Sequence, residues 1–210
     1  MTQAALVCGI LSSLWYAAIN VLVPMLWPAY SPVNQTVSEL SAIDAPTREV
    51  WIIVALPYVL LFAAFGWGVL HSATKNRKLF VVGCLIIFYC IFNAYWPPMH
   101  LREVIAAGGG TLSDTLHLVW ACITTVLFML IMGFAAFALS KNFRIYTAIS
   151  VALLIAFGGI TFLSAPNLGA NLPTPFLGVW ERIDIGIFLI WVIAFAAILL
   201  KTHRGMHTQT

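Results

Sequence analysis

Residues 28–49 read PAYSPVNQTVSELSAIDAPTRE, the longest polar interruption in a chain that is otherwise nearly all apolar. On either side, at about 4–27 and 50–70, lie apolar runs of the length a bilayer demands. Within the stretch, Thr36-Val37-Ser38-Glu39 has the Thr-x-x-Glu spacing of a capping box. The Thr36 hydroxyl bonds the amide of Glu39, and the Glu39 carboxylate reaches back to the amide of Thr36. This predicts a short helix from Thr36 to Ala42 with Leu40 and Ile43 on its apolar side. Asp44-Ala45-Pro46 then reads as a second helix start, Asp44 as cap and Pro46 in the first turn. A polar segment that supplies its own caps between two apolar runs is an ordered loop, and the runs beside it are membrane-crossing helices.

Composition extends that reading to the whole chain. Hydrophobic residues make up 62% of the 210, charged residues 8%, and mean hydropathy is +0.99. A soluble domain carries about 25% charge. The expected fold is an all-α integral membrane protein, one transmembrane domain over 1–210 built as a six-helix bundle. Its runs lie at about 4–27, 50–70, 79–97, 117–139, 145–164 and 183–200, with outer loops at 28–49, 98–116 and 165–182. No basic residue precedes the first run, which is too long for a signal-peptide core, so it reads as the first transmembrane helix. The net charge of +3 is scattered over loop ends and does not point to nucleic acid. Cys8, Cys84, Cys90 and Cys122 all fall inside apolar runs with no C-x-x-C, which is how small buried residues are placed.

Charge asymmetry sets the expected orientation. Lys75, Arg77, Lys78, Lys141, Arg144, Lys201 and Arg204 share one side if the runs alternate; Arg48, Arg102 and Arg182 share the other. The first group marks the cytoplasmic side and places both termini inside. Trp27, Trp51, Trp96, Trp120 and Trp180 sit near the opposite helix ends, as an interfacial belt does. Every acid, Glu39, Asp44, Glu49, Glu103, Asp114, Glu181 and Asp184, falls on that outer side too, with His100 and His117. Chemistry is therefore expected at the outer face.

Three constellations stand out there. His100, Arg102 and Glu103 end the third helix, and Asp114-x-x-His117 puts an acid and an imidazole on one face of the fourth. Two His and a carboxylate suit acid–base work or, more weakly, zinc, although the spacing matches no zinc signature; the alternative is a cap at Asp114 and an interfacial His117. No cofactor is otherwise expected. Glu181, Arg182 and Asp184 open the sixth helix, where acids suit its positive end and Arg182 is able to bind an anionic head group or carboxylate. The alternative is an inter-helix ion pair with Arg48 or Arg102. Ser38 and Ser41 flank Glu39 but lack a G-x-S-x-G elbow, so the capping box is the simpler account. The uncharged stretch at 165–180, rich in Asn, Gly and Pro, reads as a structured lid.

Tyr30-Ser31-Pro32, Ser38-Glu39-Leu40 and Ala45-Pro46 resemble the first outer loop of the six-helix bacterial membrane family catalogued as domain of unknown function 998. Gly178-Val179-Trp180-Glu181-Arg182, followed by an apolar helix with Trp191, is similar to that family's last segment. The resemblance implies a six-helix bundle in a bacterial cytoplasmic membrane and no established activity. The expected function is a polar outer pocket for a lipid head group or small amphiphile, formed by Ser38, Glu39, Arg48, Arg102, Glu181 and Arg182. The alternatives are a membrane-embedded hydrolase using His100, Asp114 and His117, and a structural subunit. Glu39, Arg182 and one of the two outer histidines are expected to face a common cavity.

Overall fold

The computed structural model describes residues 2–207, with side chains through His203, so the side chain of Arg204 lies outside it. Six long helices carry the fold: α1 (Thr2–Leu22), α2 (Arg48–Ser72), α3 (Arg77–Phe92), α4 (Leu112–Ala138), α5 (Lys141–Leu163) and α6 (Leu177–His207). No strand occurs among the described residues. Each helix packs on the next in chain order, and α6 returns to pack on α1, closing a ring. The turns at 73–76 and 139–140 are too short for any partner but the sequence neighbour. Five of the six are long and apolar enough to cross a membrane: all but α3. This is a multi-pass membrane protein.

The exception is instructive. The run expected at 79–97 ends as a helix at Phe92 after 16 residues. That length spans about 24 Å, short of the roughly 30 Å hydrocarbon core. The chain unwinds at Asn93, whose side-chain amide donates back to the Tyr89 carbonyl, and Pro97 and Pro98 cannot rejoin a helix. Other boundaries move as well. α4 starts at Leu112 rather than 117, because Thr111 and Asp114 form a second capping box. Asp44 caps nothing: it is exposed in the left-handed region (φ 65°), and α2 begins at Arg48. Thr47 takes the N-cap position but spends its hydroxyl on the Leu40 carbonyl, 2.8 Å away, folding the loop back on itself. Trp51 leaves the expected interfacial belt, since it is buried against Tyr16 and Leu40 in an apolar cluster.

An aromatic core joins the helices toward the short turns. Phe62 and Phe65 of α2 meet Phe188 and Phe195 of α6 edge to face, at 6.1 and 5.7 Å between centroids. Trp191, fully buried, stacks on Phe195 and donates its indole N–H to Thr147 Oγ1 at 2.9 Å. Gly68 lets α2 approach α1 so closely that an added Cβ would meet the Ala5–Leu6 backbone at 3.0 Å. Lipid tails are as apolar as these side chains, so close packing and interhelical hydrogen bonds carry the association. The short-turn face is basic: Lys78 Nζ and Arg144 lie over the Phe137 ring, and Asn76 ties to the Ala138 carbonyl. The long loops gather at the other face.

Trp191→Ala removes the centre of this stack and its hydrogen bond. It is expected to cost about 3–5 kcal/mol, read as a lowered unfolding midpoint in detergent, whereas exposed Phe80→Ala should leave that midpoint nearly unmoved.

Candidate functional site

The capping box is present. Thr36 caps a 3₁₀ helix, Val37–Ser41, and Glu39 reaches back to the Thr36 amide at 2.8 Å. Glu39 is fully buried and does far more than cap. Its carboxylate takes Arg102 Nε at 2.8 Å and Nη2 at 2.7 Å, plus the Thr36 hydroxyl and the Gln35 amide. Arg102 comes from the second loop. Its remaining nitrogen, Nη1, donates to Thr174 Oγ1 in the third, and Thr174 donates on to the Asn34 carbonyl in the first. The hydrogen-bonded carboxylate holds the Arg102 guanidinium above its ordinary pKa. One ion pair thus joins all three loops.

Arg182 makes a second junction. Its Nη1 donates to the carbonyls of Pro32 and Gln35, its Nη2 to Tyr30 Oη at 2.7 Å, and its guanidinium lies over the Tyr30 ring. Burial pushes the Tyr30 phenol up, which keeps it a donor to the Thr36 carbonyl. Gly178 permits the approach: a Cβ there would collide with the Pro32 and Gln35 carbonyls. The neighbouring Glu181 accepts from the Val37 amide, the first N–H of the 3₁₀ helix. Arg48 donates to the Ser41 carbonyl. No ion pair of Glu181 or Asp184 with Arg48 or Arg102 forms among the described residues.

The histidines separate. His100 Nδ1 lies 3.0 Å from Asp114 Oδ2, and the His100 amide donates to Oδ1. His117, 4% exposed, turns away, placing Nδ1 2.7 Å from the Pro97 carbonyl and Nε2 3.1 Å from Ser38 Oγ. Glu103 is exposed. No three His, Cys, Asp or Glu side chains converge as a metal site among the described residues.

Between the loops and the aromatic core lies a half-enclosed cavity of about 810 Å³. Its walls are mainly aromatic and aliphatic, with Phe128, Leu154 and Phe188 among them; polar groups include Ser38, Asn93, Asp114, His117, Glu181 and Asp184. Asp184 Oδ1 is buried with no hydrogen-bond partner. Neither Glu39, His100 nor any arginine is among the lining residues, which corrects the expectation that Glu39 and Arg182 face a common cavity. The reason is donor count: a guanidinium carries five N–H groups, and the folded loops offer carbonyls and a carboxylate close by. The arginines build the roof of the cavity. Of the residues expected at the site, Ser38, Asp114, His117 and Glu181 do line it.

A protein-family model described as "Protein of unknown function (DUF998)" matches residues 10–198. The chain belongs to this family. No curated protein and no solved structure matches it. The DUF998 match takes in all three loops, hence both junctions and the cavity beneath them. Sequence reasoning marked Ser38 and His117 separately but missed their pairing; it marked Tyr30 only as part of the family resemblance, not as a partner of Arg182, and missed Thr174 altogether, since an isolated Thr in a loop carries no signal of its own.

Arg102→Leu in this DUF998 protein strands the buried Glu39 carboxylate and should cost about 3–5 kcal/mol. Adding Glu39→Gln should recover part of the loss, a coupling readable by a double-mutant cycle of thermal unfolding in detergent. Gly178→Ala should likewise lower the midpoint, by driving the first loop off α6.

Proposed function

We propose that this protein binds a lipid or small amphiphile in the cavity, entering from the outer leaflet of a cell membrane. The observation that carries the reading is the cavity itself. Its volume, about 810 Å³, lies in the range that encloses drug-sized and lipid-like ligands. Its carboxylates, Ser38 and His117 belong to the loop end, while the deeper wall is mainly aromatic and aliphatic, the division an amphiphile presents. Ser38 and Glu181 are the contacts for the polar end; Glu39, Arg48, Arg102 and Arg182 hold the loops that position them. With the arginines engaged and Glu181 and Asp184 on the wall, the polar end that fits is neutral or cationic rather than anionic. The reading needs no cofactor.

The orientation rests on charge. Lys75, Arg77, Lys78, Lys141 and Arg144 occupy the short-turn face, and all seven acids of the sequence sit at the long-loop face. The excess of basic residues supports a reading with the short turns and both ends of the chain in the cytoplasm and the cavity outside; an even number of crossings then requires α3 as a sixth, short span.

Two measurements test this. Protein purified in mild detergent should carry bound lipid detectable by mass spectrometry, and Ala121→Trp, which fills the cavity wall, should reduce it several-fold with the unfolding midpoint retained; unchanged lipid content would sink the proposal. In a chain freed of its native cysteines, an impermeant thiol reagent applied outside should label Cys at exposed Asn171 and spare Cys at exposed Lys75. The reverse pattern would place the cavity on the cytoplasmic side.

A further inference from the structure

We infer that Ser38 and His117 are a nucleophile–base pair that cleaves a carboxylic ester of the bound amphiphile; the inference rests on the amphiphile reading above. The first support is the direction of the hydrogen-bond chain. The Pro97 carbonyl can only accept, so His117 Nδ1, 2.7 Å away, carries the proton. In the neutral ring Nε2 is then a bare lone pair, and at 3.1 Å it can only accept from the Ser38 hydroxyl. This is the relation of serine to general base in acyl-transfer sites, with a backbone carbonyl in place of the orienting carboxylate.

The second support is placement. Both side chains line the cavity, so an ester whose acyl chain occupies the apolar wall has its carbonyl at the Ser38 end. Ser38 is partly exposed while His117 is buried, which shields the base from bulk water and leaves the nucleophile within reach. The third is rigidity. Val37 is pinned by Glu181 and Glu39 by Arg102, so the residue between them sits on a mount fixed from both sides. The other serine of this helix is otherwise engaged: Ser41 donates to the Ser38 carbonyl and accepts from Trp96 Nε1.

The chemistry balances with water as the only co-reactant. Ser38 Oγ passes its proton to His117 Nε2 and adds to the ester carbonyl carbon. Collapse of the tetrahedral adduct breaks the bond to the alkoxy oxygen, and that group leaves as the alcohol with the proton from Nε2. Water then gives a proton to Nε2 and attacks the acyl-serine carbonyl. Release of the carboxylic acid returns the proton to Oγ.

The test uses the full chain in detergent micelles and a long-chain alkyl fluorophosphonate, which reports an activated serine. Peptide mapping should place the adduct on Ser38, with none on Ser38→Ala. His117→Gln, which retains a polar side chain, should label and hydrolyse a fluorogenic fatty-acyl ester at least about 100-fold more slowly, the scale of a lost general base. Unfolding midpoints establish that each variant is folded. A folded parent chain that neither labels nor turns over the ester overturns the inference, as does equal labelling of Ser38→Ala. Bound-lipid content measured on the same samples separates the two readings. Lipid retained without an adduct overturns the nucleophile–base pair alone, and lipid absent overturns the amphiphile reading with it.

Discussion

The ion pair between Glu39 and Arg102 is the constraint on which the loop face depends. A fully buried carboxylate is tolerable only if it is paired and its lone pairs are filled. Here both oxygens face the guanidinium fork, and Thr36 and Gln35 supply the remaining donors. With Nε and Nη2 committed to Glu39, the third nitrogen of Arg102 donates to Thr174, and Thr174 ties the third loop to the first. The geometry of one side-chain pair therefore helps set the position of three chain segments, the first two of which are also joined by a single backbone bridge, Ile43 to His100.

The cavity follows from two kinds of packing in one ring of helices. Near the short turns, glycines and aromatic rings bring α1, α2 and α6 into close contact. Near the long loops, α3 ends at Phe92 and the wall it would have continued is replaced by irregular chain from Asn93 onward. Irregular backbone at membrane depth is tolerated where it lines a protected space rather than lipid. The roof is then closed by junctions in which arginine nitrogens saturate loop carbonyls. That arrangement explains why a face with three arginines leaves none of them on the cavity wall. It also explains why the wall keeps serine, histidine and carboxylate groups, whose smaller hydrogen-bonding needs the loops do not exhaust.

The serine and histidine illustrate how a structural network becomes a chemical one. The capping box that mounts Ser38 and the proline break that presents the Pro97 carbonyl are both local stabilising devices. Brought together, they select one tautomer of His117 and aim its lone pair at a hydroxyl beside an apolar space. Nothing in either device alone requires that outcome.

What the sequence determined by itself is whatever depends on neighbours within a few residues or on composition. The apolar runs, the Thr36–Glu39 box and the proline-terminated loops are of this kind, since bilayer thickness and the reach of a capping side chain act locally. Even there, Thr111 with Asp114 formed an equally local box that moved the start of α4, and the Asp44 cap failed because Thr47 turned its hydroxyl to Leu40. Only the tertiary structure decided which polar groups meet. Glu39 and Arg102 are 63 residues apart, and Ser38 and His117 are 79 apart. Such pairings depend on how far each helix is rotated about its axis and on where its neighbour ends. Helices that are apolar on nearly every face, as membrane helices are, carry almost no periodic signal of that rotation, so the chain marks its polar residues without saying how they pair.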